Sequence, residues 1–316
     1  MDYDHSFIKV PAYAGSYFVL TTCRNSQETI RKSLTSIKEQ TVNPEYVIVI
    51  NDGSTDNTNN ILDDMQKYWP ILYVITNPDL GYDISRVVRN WNDAIELTKN
   101  KALRKTDYHM IATDDTVYPR DYAQKIISYM DSNSLVSVAS GNYANQKFVS
   151  PHGAGRFVRN SNFEKSIWHG YYPEQMGYES AILYEASRSG YLYAVIEDAR
   201  FEHTRTLGQG YNFYEFGASM RTLGYHPLSV LVRFLRCFMK GEAIGRIGAI
   251  YMLYYYLTFT PKDDGYNRMF DQSLRNYVRA TQSIKFRRFR RAISKSKILS
   301  PYPKDLTKNV GSVESR

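Results

Sequence analysis

Tyr46-Val47-Ile48-Val49-Ile50-Asn51-Asp52-Gly53-Ser54-Thr55-Asp56 passes, within eleven residues, from an unbroken apolar run to a polar turn. Five β-branched or aromatic residues in succession, with no polar alternation, read as a strand buried on both faces. Asn-Asp-Gly-Ser is turn chemistry, and Thr55 or Asp56 is placed to cap a helix. Ile61, Leu62 and Met65 then fall on one face of that helix, over residues 56–68. A buried strand, a tight polar turn and an amphipathic helix make one half of a βαβ unit.

The same unit recurs on either side. Upstream, the apolar run at residues 17–20 precedes Ser26, and Ile30, Leu34 and Ile37 follow at helical spacing. Ser26 reads as the N-cap, with Thr29 at N3 in an imperfect capping box. Downstream, strands are expected at residues 71–75 and 109–112, and helices at 85–97 and 120–130. Strands alternating with helices of a dozen residues predict an α/β fold with a mostly parallel central sheet. Further strands are expected at 135–140 and 191–196 and a helix at 179–189, while 141–178, rich in Gly, Asn, Tyr and Arg, suits a substrate-facing loop region.

Ligands of such sheets sit beyond the carboxyl ends of the strands. Three polar clusters fall there: Thr21-Thr22-Cys23-Arg24-Asn25, Asn51 to Asp56, and Thr113-Asp114-Asp115. Asp52 offers acceptors to a nucleobase N–H or a ribose hydroxyl, although its stretch also suffices as a simple turn. Asp114 and Asp115 can hold a hard divalent cation that leaves positions open for diphosphate oxygens. The same pair also suits a helix-capping Asp beside a solvated neighbour.

Composition narrows the classes. The chain has 316 residues, 43% of them hydrophobic, enough for a sizeable core. Its 18 Gly and 11 Pro exclude collagen-like or low-complexity character. Two cysteines, Cys23 and Cys237, make neither a disulfide framework nor a zinc site by themselves. The absence of an N-glycosylation sequon and of an opening secretory segment predicts a reducing, cytoplasmic setting. Tyrosine is abundant at 28 copies, a side chain suited to stacking on sugars, bases or headgroups as well as to core packing.

In order and spacing, Leu20 to Asn25, Val49 to Asp56 and Ile111-Ala112-Thr113-Asp114-Asp115-Thr116-Val117-Tyr118-Pro119 resemble the family-2 glycosyltransferases, which have the GT-A fold. The resemblance covers residues 16–227. It implies transfer of a sugar from a nucleotide-diphosphate donor, most often uridine-based, with inversion and with Mg2+ or Mn2+ as cofactor. By that resemblance Asp52 binds the nucleobase, Asp115 ligates the metal, and Asp114 holds ribose or supports the metal. Ala112 stands where the family often has another Asp, so Asp114 and Asp115 must serve as the DxD-type pair. Thr22, Arg24 and Asn25 fall in the donor-binding opening, and Arg86 matches an Arg that approaches the diphosphate. Glu179, at the start of a helix, matches the catalytic base, and Ser180 stands where many relatives carry a second acid. Asp198 to His203 resembles an Asp-Ala-x-x-x-His ending, which makes His203 a metal or phosphate contact and Arg205 a further diphosphate contact. Independently of the resemblance, Arg156 and Arg159 are candidates to grip an acceptor phosphate and Trp168 to stack on a sugar, with ordinary loop packing as the alternative for all three.

The carboxy-terminal part differs in charge. Residues 1–220 carry 21 Lys and Arg against 26 Asp and Glu; residues 221–316 carry 19 against 6. Such asymmetry points to a polyanionic partner. Residues 228–240 read as an amphipathic helix, 247–260 as an uncharged segment too short to span a bilayer, and 285–291 as a basic run with interleaved Phe. No nucleic-acid recognition signature accompanies them, so an anionic membrane surface on the cytoplasmic side is the expected partner, beside a glycan or lipid-linked acceptor; the alternative is that residues 228–280 pack as helices on the catalytic domain and the tail is solvated. The expected organisation is an arm (1–14), a GT-A domain (15–227, a nucleotide-sugar half to 135 and an acceptor half beyond), an amphipathic helical region (228–283) and a basic tail (284–316). A polyprenyl-phosphate sugar transferase, a nucleotidyltransferase and a non-catalytic relative are the alternatives.

Overall fold

In the computed structural model, residues 15–144, 150–204, 213–241 and 244–293 are described. The N-terminal arm, Arg205 and the tail beyond residue 293 lie outside them.

The first half follows the βαβ expectation. β1 (Tyr17–Cys23), α1 (Ile30–Lys38), β2 (Val47–Asn51), α2 (Thr58–Lys67), β3 (Leu72–Thr76), α3 (Arg86–Asn100) and β4 (Tyr108–Ile111) alternate without exception. β1 pairs in parallel with both β2 and β4, and β2 in parallel with β3. Then come β5 (Thr116–Val117), α4 (Tyr122–Ser132), β6 (Val136–Tyr143), β7 (Arg156–Arg159), α5 (Asn160–Phe163), α6 (Tyr178–Arg188) and β8 (Leu192–His203). Among the described residues the sheet has eight strands in the order β3-β2-β1-β4-β7-β6-β8-β5. It is mixed, because β7 runs antiparallel to both β4 and β6. β5 and β7 escaped the sequence reading. β5 has only two residues, and β7 carries an Arg at each end.

Side-chain alternation along β1 builds two cores. Tyr17 and Val19 face α1, α2 and α4 through Ile30, Leu34, Leu62 and Ile126. Phe18 and Leu20 face α3 and α6 through Val88, Trp91, Ile182 and Ala186. A strand covered on both faces needs apolar residues at every position, which is why the opening runs lack polar alternation.

The carboxy-terminal helices α7 (Tyr214–Thr222), α8 (Pro227–Lys240), α9 (Gly245–Thr258) and α10 (Gln272–Ile293) extend the second half. Met220, Val230, Met252 and Tyr256 knit α7, α8 and α9 together. Leu274 of α10, with Phe270, packs against Ala181 of α6 and Leu223. No helix among the described residues is long and apolar enough to cross a membrane.

Candidate active site

The loops after β1, β2 and β4 meet at the carboxyl edge of the sheet and are cross-linked there. Asn25, in the left-handed region at φ 49°, receives the Thr55 N–H on Oδ1 at 2.8 Å and donates its own N–H to the Ser54 hydroxyl at 2.9 Å. Arg24 donates to the Asp52 and Gly53 carbonyls and pairs with Asp79 at 2.6 Å. The Ser26 hydroxyl donates to Asp114 Oδ2. The expected Ser26 cap is therefore corrected: Thr29 occupies the N-cap position, and the Ser26 side chain ties the first loop to the third. Asp56 instead caps its own turn, accepting from the Thr58 N–H at 3.0 Å and reaching across to Gln27 N–H at 3.1 Å.

Asp52 is buried, and both its carboxylate oxygens accept from Arg86 Nε, at 3.0 and 3.1 Å. Arg86 also donates to the Gly81 carbonyl. The two residues expected on base and diphosphate thus form one clamp, and the Arg86 guanidinium is committed to Asp52. Thr22 Oγ1 accepts from Asn90 Nδ2 at 2.9 Å, fixing β1 to α3.

Asp115 lies beyond β4, in the turn before β5. Its backbone carbonyl accepts from the N–H and the hydroxyl of Thr204, at 2.9 and 2.8 Å. Pairing of Thr116 with His203 sets the imidazole beside the carboxylate, with Nε2 3.2 Å from Asp115 Oδ1. Both side chains are mostly buried. Among the described residues no group of three His, Cys, Asp or Glu converges as a metal site. A carboxylate and an imidazole nonetheless fit a cation that takes its remaining ligands from substrate phosphates and water rather than from a protein cage.

Glu179 stands in the first turn of α6. The Gly155 N–H donates to the carbonyl of Ile111, the last residue of β4, at 2.9 Å, so the loop before β7 lies against the same edge. The Glu179 carboxylate covers Gly153 in that loop. Beneath it Arg156, fully buried, donates to the carbonyls of Glu179 at 3.1 Å and Pro151 at 3.0 Å. Arg156 is therefore not displayed to an acceptor; it ties the loop before β7 to the first turn of α6 from below. Arg159 pairs in register with Tyr108, at the opposite end of β4, and donates to Met130 at 2.6 Å and Val136 at 3.2 Å. Trp168 packs edge-on against Phe270, 6.3 Å between rings, and lines a surface pocket with Asn92, Glu96 and Tyr171. Neither Arg159 nor Trp168 reaches the edge that gathers the other candidates, because β7 reverses the chain and the following loop passes under α3.

Two groups of site residues escaped the sequence reading. Tyr143 bridges the Asp115–His203 pair and the loop that Glu179 covers: its ring lies 5.5 Å from that of His203, and its hydroxyl is 3.1 Å from Nδ1 of His152, the neighbour of Gly153. Burial lowers His152 to about 3, with the Arg156 and His203 charges adding, so its imidazole is neutral. The second group is Glu215, in the first turn of α7. Tyr266 donates its hydroxyl to Glu215 Oε1. Burial pushes the Glu215 carboxyl up to about 7, opposed by that hydrogen bond and reinforced by the charge of Glu179. The Tyr266 carbonyl accepts from the Met176 N–H at 2.7 Å, so Tyr266 ties Glu215 to the segment that leads into α6. No motif announces Glu215.

Comparison with known proteins agrees with this architecture. The chain superposes on the mannosyltransferase PcManGT from Pyrobaculum calidifontis, solved in complex with GDP-Man and Mn2+, with a TM-score of 0.53 and 14% identity, over 91% of this chain and 78% of that one. At that identity the likeness is one of fold. An uncharacterised glycosyltransferase of Haemophilus influenzae is 29% identical over 126 residues, 40% of this chain and 35% of that protein. The poly-beta-1,6-N-acetyl-D-glucosamine synthase of Staphylococcus epidermidis is 28% identical over 125 residues, 39% of this chain and 27% of that protein. The chain thus spans about a third of the length of these relatives. Asp52, Asp115 and Glu179 all lie within residues 18–189, which match the model of glycosyl transferase family 2, and the chain belongs to that family.

Proposed function

We propose that this glycosyltransferase moves a sugar from a nucleotide-diphosphate donor, uridine-based, to a hydroxyl of a glycan or lipid-linked acceptor, with inversion and with Mg2+ or Mn2+. The observation that carries this reading is the single edge shared by the Asp52 clamp, the Asp115–His203 pair and Glu179. Asp52, held by Arg86, offers its carboxylate to the nucleoside. Asp115 and His203 would hold the cation, and Asp114, tied by Ser26, would stand beside it toward the ribose. Bound there, a divalent cation would supply positive charge against the leaving diphosphate. Glu179 takes the proton of the acceptor hydroxyl as the oxygen attacks the anomeric carbon from the face opposite the leaving group, which inverts that centre. GDP-Man and Mn2+ in the solved structure of like fold support a nucleotide-diphosphate sugar with a divalent cation, while the uridine base follows from the family's usual donor.

Calorimetric titration of a nucleoside-diphosphate panel, with and without Mn2+, tests the donor half. One nucleotide is expected to bind in a metal-dependent way, and Asp115→Ala to abolish that dependence; absence of any binding would sink the reading. For the acceptor half, Glu179→Gln should bind donor normally and lose about 10²- to 10⁴-fold in transfer. Retention of most activity in that variant would identify the acceptor as a phosphate, as in a polyprenyl-phosphate sugar transferase, which needs little base assistance.

A further inference from the structure

α8 carries two apolar faces. Val230 and Cys237 are buried, and with Phe234 they turn inward, toward α9 and α7. On the opposite side Leu228, Leu231 and Leu235, at i, i+3 and i+7, are 46%, 43% and 43% exposed. α9 repeats the arrangement. Gly248, Ala249, Met252 and Tyr256 are buried, whereas Ile247, Ile250 and Leu257 are 71%, 51% and 69% exposed. Ten of the sixteen large apolar side chains exposed among the described residues belong to these two helices. Isolated exposed apolar residues are ordinary, but a concentration on one packed helix pair marks an interaction surface.

Charge decides among occupants. Arg233, Arg236 and Lys240, at i, i+3 and i+7, run along the edge of the α8 stripe, and Arg246 opens α9; neither helix contains an acidic residue. A second copy docked through this face would bring cation rows of like sign together. A bilayer of anionic lipid offers hydrocarbon for the stripe and phosphate for its edge. Each helix has 14 residues, about 21 Å against a hydrocarbon core of about 30 Å, so the pair can lie in the interface but not cross it. Tyr254, exposed on α9, suits headgroup depth.

We propose that the outer face of the α8–α9 pair is a lipid-docking surface that seats the enzyme flat on an anionic membrane. This goes beyond the donor and base assignments and does not depend on them, since binding is read without catalysis. The test is flotation of the full chain with vesicles of phosphatidylcholine alone or mixed with phosphatidylglycerol, over a series of salt concentrations. Wild type should float with the anionic vesicles, less so as salt rises, and stay behind with neutral ones. Leu231→Gln/Leu235→Gln should lower the partition coefficient more than about tenfold at every salt concentration. Arg233→Gln/Arg236→Gln/Lys240→Gln should lower it mainly at low salt. Circular dichroism of both variants should match wild type, because every substituted side chain faces outward. Three results would overturn the proposal: no flotation of wild type; unchanged flotation of both variants, which would assign binding to the basic tail; or a dimer that the Leu variant dissociates, which would make a second copy the occupant.

Discussion

A Cβ built on Gly153 would sit 2.5 Å from Glu179 Oε1 and 2.9 Å from its carboxyl carbon. The atoms in the way belong to the end of a flexible side chain, so an added methyl displaces the carboxylate rather than the fold. Gly153→Ala should therefore keep its melting temperature within about 3 °C of wild type and lose about 10²-fold in transfer, because an ångström of misplacement is enough to spoil attack geometry. Glu215 makes a separate prediction. Its carboxyl titrates near 7 in the folded chain and at 4.5 in a free Glu, so between those values the folded state holds a proton the unfolded state has lost. That difference lowers stability as pH rises from 4.5 through 7. Glu215→Gln should remove the dependence: the variant gains stability relative to wild type across that window, as read by melting curves at stepped pH. Single residues of this kind are the least legible from sequence. Asp52, Asp115 and Glu179 follow strand ends or open a helix, where local pattern marks them. Glu215, Tyr143 and His152 join the site only through packing between distant segments.

At the scale of the element, β8 is the least expected feature. From the sequence the strand is expected to end near residue 196, because polar Glu197 and Asp198 break the apolar run, yet it continues to His203. It can do so because the register with β6 shifts between Ser140 and Asn142, and the strand then goes on to pair with β5. Gly141 sits at that shift, where a Cβ would fall 1.8 Å from the Ala199 carbonyl oxygen. Backbone cannot yield as a side-chain tip can, so Gly141→Ala should be strongly destabilised and, on the proposed role of His203, should weaken any Mn2+-dependent nucleotide binding by displacing that imidazole. β7 depends on Arg156 in a comparable way. Replacing that buried guanidinium with Met leaves the Pro151 and Glu179 carbonyls without their donor and should cost about 2–4 kcal/mol in urea unfolding. Lys at the same position should recover little, since one ammonium cannot span two carbonyls as a planar fork does. The helices and parallel strands of the first half were legible because each is long and strongly patterned. β5 and β7 were not, because two residues, or an apolar pair flanked by arginines, carry no period to read.

For the whole molecule, the charge division in the sequence reappears as a division of surfaces. The acidic part builds the sheet edge with Asp52, Asp114, Asp115 and Glu179, and the basic part supplies the α8–α9 pair. Composition could announce that division but not the second apolar face of α8, since a helical wheel does not say which side meets the core. The order of the chain also matters during synthesis. Thr116 and His203 meet across a long stretch of intervening chain, and contacts of such separation form late because loop closure must come first. As the polypeptide leaves the ribosome, β1 to β4 can associate, with Asp52 clamped by Arg86, before β8 has been made. A truncated or stalled product would then own the turn assigned to the nucleoside while lacking the imidazole assigned to the cation. Unfinished chains of this enzyme are thus expected to sequester nucleotide weakly and to be incapable of wasting activated sugar by hydrolysis.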